Sequence, residues 1–172
     1  MAKIGTITNQ FMLYEGKTRY MGIASVQLPD ISNKTETVTG AGLMGDITAI
    51  AAGHLEAMTV NIAWDVVTAA ADKLTEPKVH TLELRVAQQN VDNKTKATGI
   101  DRIKFVIQVQ NTKQGLGKIA PASKADISGD YACYYLAKYV GGTKTMEIDP
   151  MNYVYMVNGK NYISEVQKAL GI

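Results

Sequence analysis

Apolar and polar residues alternate strictly along several parts of this chain, and that period constrains the fold more than any other feature. Between Leu55 and Trp64, Met58, Val60, Ile62 and Trp64 point one way while Ala57, Thr59, Asn61 and Ala63 point the other. A repeat of two is that of a strand with one buried face. Val79 to Val91 repeats it with Leu82, Leu84 and Val86, and Ile103 to Gln110 with Ile103, Phe105, Ile107 and Val109. From Ala125 to Val140, Ile127, Tyr131, Cys133, Tyr135 and Tyr139 are expected on one side, so that the tyrosines among them pack in a core. Further strands are expected at Phe11 to Tyr14, Thr18 to Leu28, Lys144 to Asp149 and Tyr153 to Val157. Turns at Glu15-Gly16-Lys17, Asp92-Asn93-Lys94 and Gly141-Gly142 join neighbours. In the strand from Thr18, Tyr20, Ala24, Val26 and Leu28 should share a face. Two helices complete the reading. Asp65 is placed to cap VVTAAADKL, and Asn161 to cap a terminal helix with an Ile163, Val166, Leu170 stripe, stopped by Gly171. The expected fold is mainly β, an antiparallel barrel or sandwich over residues 1–172 as a single domain, with one short internal helix and a C-terminal one.

One stretch departs from this pattern. Leu28 to Gly45, LPDISNKTETVTGAGLMG, alternates as a strand from Asn33 to Thr39 but has no strongly apolar face, and it ends in three glycines within six residues. Pro29 stops the preceding ladder because it has no N–H to donate. A strand polar on both sides is poorly specified alone and needs a neighbour to fix its register. The segment from about residue 29 to 46 therefore reads as an extension whose partner lies on another copy of the chain.

The motifs that suggest chemistry fail on context. Gly40-Ala41-Gly42-Leu43-Met44-Gly45 matches a dinucleotide fingerprint, with Asp65 twenty residues on. That fingerprint must follow a buried parallel strand and open a helix; here it follows NKTETVT, and DITAIAAG is interrupted by Gly53. His54-Leu55-Glu56 has the H-x-E of zinc deaminases without their paired cysteines. His80 shares the face of Leu82 and Leu84 and reads as a core or boundary histidine. The lone Cys133 reads as a buried, inert thiol, which leaves no intrachain disulfide and suggests a reducing compartment. No catalytic triad or carboxylate pair stands out, so no enzyme activity, metal or cofactor is expected. A net charge of +2 over 172 residues is too small for a dedicated nucleic-acid binder. No signal-like or membrane-spanning run is found, so a soluble chain without stable membrane association is expected.

Two segments carry a family resemblance. VQLPDISNKTETVTGAGLMG resembles the strand–LP–extension–GAG.G segment of the major tail tube proteins of contractile-tailed bacteriophages and R-type bacteriocins. MEIDPMNYVYMVNGKNYISEVQKALGI is similar to the same family's ending, with Glu147-Ile148-Asp149, Val157-Asn158-Gly159 and Leu170-Gly171-Ile172 at the matching places. The resemblance implies a structural subunit that forms six-membered rings stacked into a hollow tube, surrounded by a sheath that drives it through a target envelope. Implied partners are further copies of the chain, the sheath, baseplate and tail-terminator proteins, with DNA only as transiting cargo if the particle is a phage. The implied location is a virion tail or bacteriocin particle, with assembly in the host cytoplasm. On that reading the polar faces of the strands line a channel through Ser25, Gln27, Lys104, Gln108, Gln110, Asp126, Ser128 and Asp130. Copies are held together through Lys34, Glu36, Val38, Gly40, Gly42, Leu43, Met44, Gly45 and Ile47. A soluble β-barrel that binds a small apolar ligand is the alternative.

Overall fold

A computed structural model of the chain describes residues 3–40, 42 and 44–171. Its strands are β1 (Lys3–Glu15), β2 (Thr18–Tyr20), β3 (Ile23–Gln27), β4 (Asn33–Val38), β5 (Ile47–Leu55), β6 (Met58–Trp64), β7 (His80–Asp92), β8 (Thr98–Gly115), β9 (Ile127–Val140), β10 (Thr143–Asp149), β11 (Val154–Val157) and β12 (Lys160–Asn161). Two short helices, α1 (Ala69–Lys73) and α2 (Ser164–Leu170), follow β6 and β12. The main sheet runs β12-β11-β10-β9-β8-β7-β1-β2, and a second arm, β6 then β3, attaches to β9. Every strand pairing is antiparallel.

The branch arises because β9 changes neighbour halfway along. Its first half, Ile127 to Cys133, pairs with β6; its second, from Leu136, pairs with β10. On its other side β9 follows β8 throughout, but with two register shifts: Gln108 faces Tyr135 while Val109 faces Cys133, leaving Tyr134 without a partner on β8, and farther on Thr112 of β8 is left without a partner between Asn111 and Lys113. One extra residue bends a strand and increases its twist. The two arms thereby fold toward each other, and their inner residues form one core. Val60, Ile62, Trp64 and Tyr131 from one arm lie in the same buried cluster as Leu13, Leu82, Leu84, Ile107 and Ile148 from the other. Tyr20 meets Trp64 edge-on, ring centroids 6.0 Å apart. The architecture is sandwich-like, and the alternation in the sequence matches it: Met58, Val60, Ile62 and Trp64 are all buried.

The same extra residue corrects the reading of the tyrosines. Tyr131 is fully buried, but beyond Tyr134 the parity reverses and Leu136 takes the inner face. Tyr135 and Tyr139 therefore stand outside, opposite Gln108 and Lys104. Tyr135 donates to Glu147 Oε1 at 2.7 Å and Lys104 lies 4.8 Å from the centre of the Tyr139 ring.

Other boundaries also move. The strand expected at Phe11 to Tyr14 begins at Lys3, and β8 spans Thr98–Gly115 rather than Ile103 to Gln110. Thr18 to Leu28 is two strands: β2 pairs with β1 and β3 pairs with β6. Gly22, between them, has φ +75°, and a Cβ there would collide with Val66, so the chain turns where only glycine fits. The register shift between Ile23 and Ser25 removes Ala24 from the expected alternation. Helix α1 starts four residues after Asp65 and is capped by Thr68, whose Oγ1 accepts from Ala71 N at 3.2 Å. Asp65 is held elsewhere, its carboxylate 3.0 Å from Lys124 Nζ and its carbonyl accepting from Ala125 N. Asn161 stands two residues before the α2 N-cap position, Ile163, and accepts from Ile163 N. Of the α2 stripe, Ile163 is buried and Leu170 is exposed. Gly171 ends α2 in the left-handed conformation as expected.

His80 is a core histidine that faces a carboxylate. Its Nδ1 lies 2.7 Å from Glu15 Oε1, while Tyr20 donates to Glu15 Oε2 at 2.7 Å and Lys73 Nζ stands 2.9 Å away. One carboxylate thus ties β1, β2, α1 and β7 together. Burial pushes the Glu15 carboxyl up, but Lys73, Tyr20 and His80 outweigh it and bring its pKa from 4.5 to about 2. A depressed carboxylate adds stability above pH 4.5 that is lost as pH falls toward 2. Glu15→Gln should cost ~1–3 kcal/mol at neutral pH and flatten the decline in melting temperature across that acid range; unchanged acid sensitivity would show that the cluster does not carry it.

Candidate assembly interface

The branch at β9 produces a four-stranded unit, β3-β6-β9-β8, made from Ile23–Gln27, Met58–Trp64, the first half of β9 and the last part of β8. Gln27, Asn61, Asp130 and Lys113 form one row across it. Ala63 stands between Ser25 and Ser128, and Gln110 opposes Ala132. The side turned away from the core thus carries small and polar residues with one acid, Asp130, and one base, Lys113. Asn61 Nδ2 donates to Asp130 Oδ1 at 2.6 Å and Tyr134 donates to Gln110 at 3.1 Å, so these groups are held by one another.

Both ends of this unit are open among the described residues. β3 is paired only with β6. On the other side, the β7 ladder stops at His80 opposite Val109, while β8 continues along β9 to Gly115. The residues from Gln110 to Gly115 therefore have a neighbour on one side only. Unpaired N–H and C=O groups on such edges are templates for another strand. Because each pairing within the unit is antiparallel, β3 and β9 run one way and β6 and β8 the other.

The polar extension has its first strand partner within its own chain. β4 pairs with β5, Val38 opposite Ile47 and Glu36 opposite Ala49, as a two-stranded sheet separate from the main one. The expectation that the partner of β4 lies on a second copy is corrected to this extent: the unit that projects is a hairpin, whose second strand runs through ITAIAAGHL, where no apolar face marks a strand. Two-stranded hairpins are marginal in water by themselves. This one is anchored at its root, where Glu56 N donates to Ser32 O at 2.8 Å. It is also fixed at Gly53, whose Cβ position is filled by the Ile163 side chain.

Of the expected channel residues, Ser25, Gln27, Gln110, Ser128 and Asp130 lie together on the non-core face of the four-stranded unit. Lys104 and Gln108 lie on the same face but farther along β8, where it runs between β7 and β9. Asp126 lies just before β9 with φ +53°, outside the ladder. Of the expected contact residues, Lys34, Glu36 and Val38 share one face of β4, Ile47 opposes Val38, and Gly40, Gly42, Met44 and Gly45 belong to the tip. Leu43 lies outside the described residues. Thr59, Asn61 and Lys113 lie on the same non-core face; the first two alternate with the buried Val60 and Ile62, so their place is legible in the sequence.

The profile of the phage tail tube protein FII family matches residues 6–171. The chain belongs to that family. Its role is that of a structural subunit of a tail tube. No curated protein matches the chain in sequence. Among solved structures, it is similar in fold to the sheath/tube terminator of an extracellular contractile injection system, PVC, determined by cryo-EM in the extended state. That likeness has a TM-score of 0.56 at 10% identity and covers 78% of this chain and 96% of the other. Gly53→Val, which places a side chain where Ile163 sits at a position with φ +77°, should loosen the hairpin alone. Hydrogen exchange should quicken across residues 47–55 and 161–166 and stay slow in β7 and β8; equal quickening in those core strands would contradict this.

Proposed function

We propose that six copies close into a ring through their four-stranded units, and that the rings stack into the tube. The observation that carries this is the pair of open edges at opposite ends of β3-β6-β9-β8. Around an axis roughly parallel to the strands, β8 of one copy meets β3 of the next with opposite direction, so the antiparallel alternation continues across every junction. Head-to-tail contacts of this kind close when the rotation allows. Six units of four strands make a barrel of about 24, wider than porins of ~16–18 strands that already hold an aqueous channel.

The non-core face then lines the channel with Ser25, Gln27, Gln110, Ser128 and Asp130, and with Thr59, Asn61 and Lys113 beside them. Such a lining, with few cations, holds cargo weakly, because many phosphate contacts would retain DNA. Asp126 falls at the channel mouth, and Lys104 and Gln108 on the main sheet beyond the four-stranded unit. The hairpin, with Lys34, Glu36, Val38, Ile47 and the glycine-rich tip, reaches across to a neighbouring copy. A contractile sheath encloses the tube and drives it through an envelope, a terminator and a baseplate bound its ends, and the subunits assemble in the host cytoplasm before joining the particle. The family match and the sheath/tube terminator fold support this reading.

The test uses a Cys133→Ser background with Gln27→Cys, combined in turn with Gln110→Cys, Lys113→Cys or Gly115→Cys. At least one pair should oxidise into a ladder that ends at six subunits on a denaturing gel. Absence of any ladder, or one that ends at two, would rule out ring closure through these edges.

A further inference from the structure

The non-core face of the main sheet holds a groove of about 760 Å³, formed by β1, β7 and β8 with Tyr139 and Gly142 at one end. On that face Met12, Ala87, Tyr14 and Tyr139 supply its apolar surface, the Phe11, Val86 and Ile103 side chains being turned to the core side of the same strands, and three cations border it: Arg85, Arg102 and Lys104. Glu83 is the single acid in the lining and is already engaged, in an ion pair with Arg85 and 3.9 Å from Lys104 Nζ. Arg102 makes no ion pair among the described residues. The groove therefore offers an apolar floor and an uncompensated positive rim.

The hairpin has the opposite character. Between Pro29 and Ala57 it carries Asp30, Glu36, Asp46 and Glu56 against one lysine, Lys34, in a chain whose overall charge is positive. One of its faces places the exposed Val38 and Ile47 side by side, with Glu36 two pairs nearer the root on the same face; Asp46 precedes Ile47 in sequence, toward the tip. Met44, at the tip, is fully exposed. Three large apolar side chains standing in water beside carboxylates are costly to leave uncovered and chemically suited to an apolar groove with a basic rim.

We propose that this groove is the receptor for the β4–β5 hairpin of a second copy: Val38, Met44 and Ile47 cover its floor, and Glu36 and Asp46 face Arg102 and Lys104. The inference rests on the tube reading and names the surface on which its hairpin docks. It assigns Arg102 and Lys104 to the interface between copies. The contact is heterologous, since each copy presents a hairpin at one place and a groove at another, and it can thus propagate without pairing two copies off.

The experiment is a charge exchange in the full chain. Glu36→Lys/Asp46→Lys is made on the hairpin, Arg102→Glu/Lys104→Glu in the groove, and all four together, with Arg102→Gln as a milder groove variant. Each protein is checked as a folded subunit by circular dichroism, and its tubes are counted by negative-stain microscopy against concentration. Each two-site variant should need about tenfold or more protein to form tubes, the four-site variant should recover most of that loss, and Arg102→Gln should fall between. Normal tubes from the groove variants would overturn the groove assignment while leaving the tube reading intact. So would a four-site variant no better than either parent, or groove variants that form tubes but lose an acidic partner protein. Failure of the unmodified chain to form tubes would overturn the tube reading and this inference with it.

Discussion

The structure depends on a single strand being long enough to serve two neighbours. β9 carries β6 along its first half and β10 along its second, while β8 follows it from end to end. The unpaired residue at Tyr134 absorbs the change of direction. Without that bend the two arms would form one open sheet, and the inner faces of β6 and β7 would have no opposite layer. With it, Trp64 reaches Tyr20, and one core serves both arms. β7 begins at His80, so its ladder stops opposite Val109, before β8 ends.

This arrangement separates stability from assembly. Residues that hold one subunit together, such as Val60, Ile62, Leu82, Ile107 and Tyr131, are buried in the shared core. The Glu15 cluster locks the end of the sandwich through a single carboxylate. The surfaces proposed for joining copies lie elsewhere: on two edges without a partner strand among the described residues, on a hairpin with exposed Val38, Met44 and Ile47, and in a basic groove. Cys133, buried and with its thiol pushed up by burial to about 11, belongs to the first group and is chemically quiet.

Much of the core was legible in the sequence because alternation reports burial directly. Met58, Val60, Ile62, Trp64, Leu82, Leu84, Ile107 and Val109 occupy the inner face that their period assigned. Alternation fails where a register shift inserts a residue, since parity reverses without any change in composition; Tyr135 and Tyr139 moved outward for that reason. It also fails for strands with no buried face. Lys3 to Gln10 of β1 and all of β4 are exposed, so their pairing is set by backbone bonds that leave little trace in side-chain pattern. The polar face of the four-stranded unit was partly visible in Ser25, Gln27, Gln110, Ser128 and Asp130. The branch that groups them was not, because it depends on which strands pair over a long sequence separation.

A helical cryo-EM reconstruction of the assembled protein tests the central claim most directly. A ring of six subunits whose inner wall is one continuous antiparallel barrel, with β8 of each copy hydrogen-bonded to β3 of the next, is the predicted result. An assembly in which β3 and the last residues of β8 remain unpaired, or in which the inner wall is built from β1, β7 or β10, would contradict it.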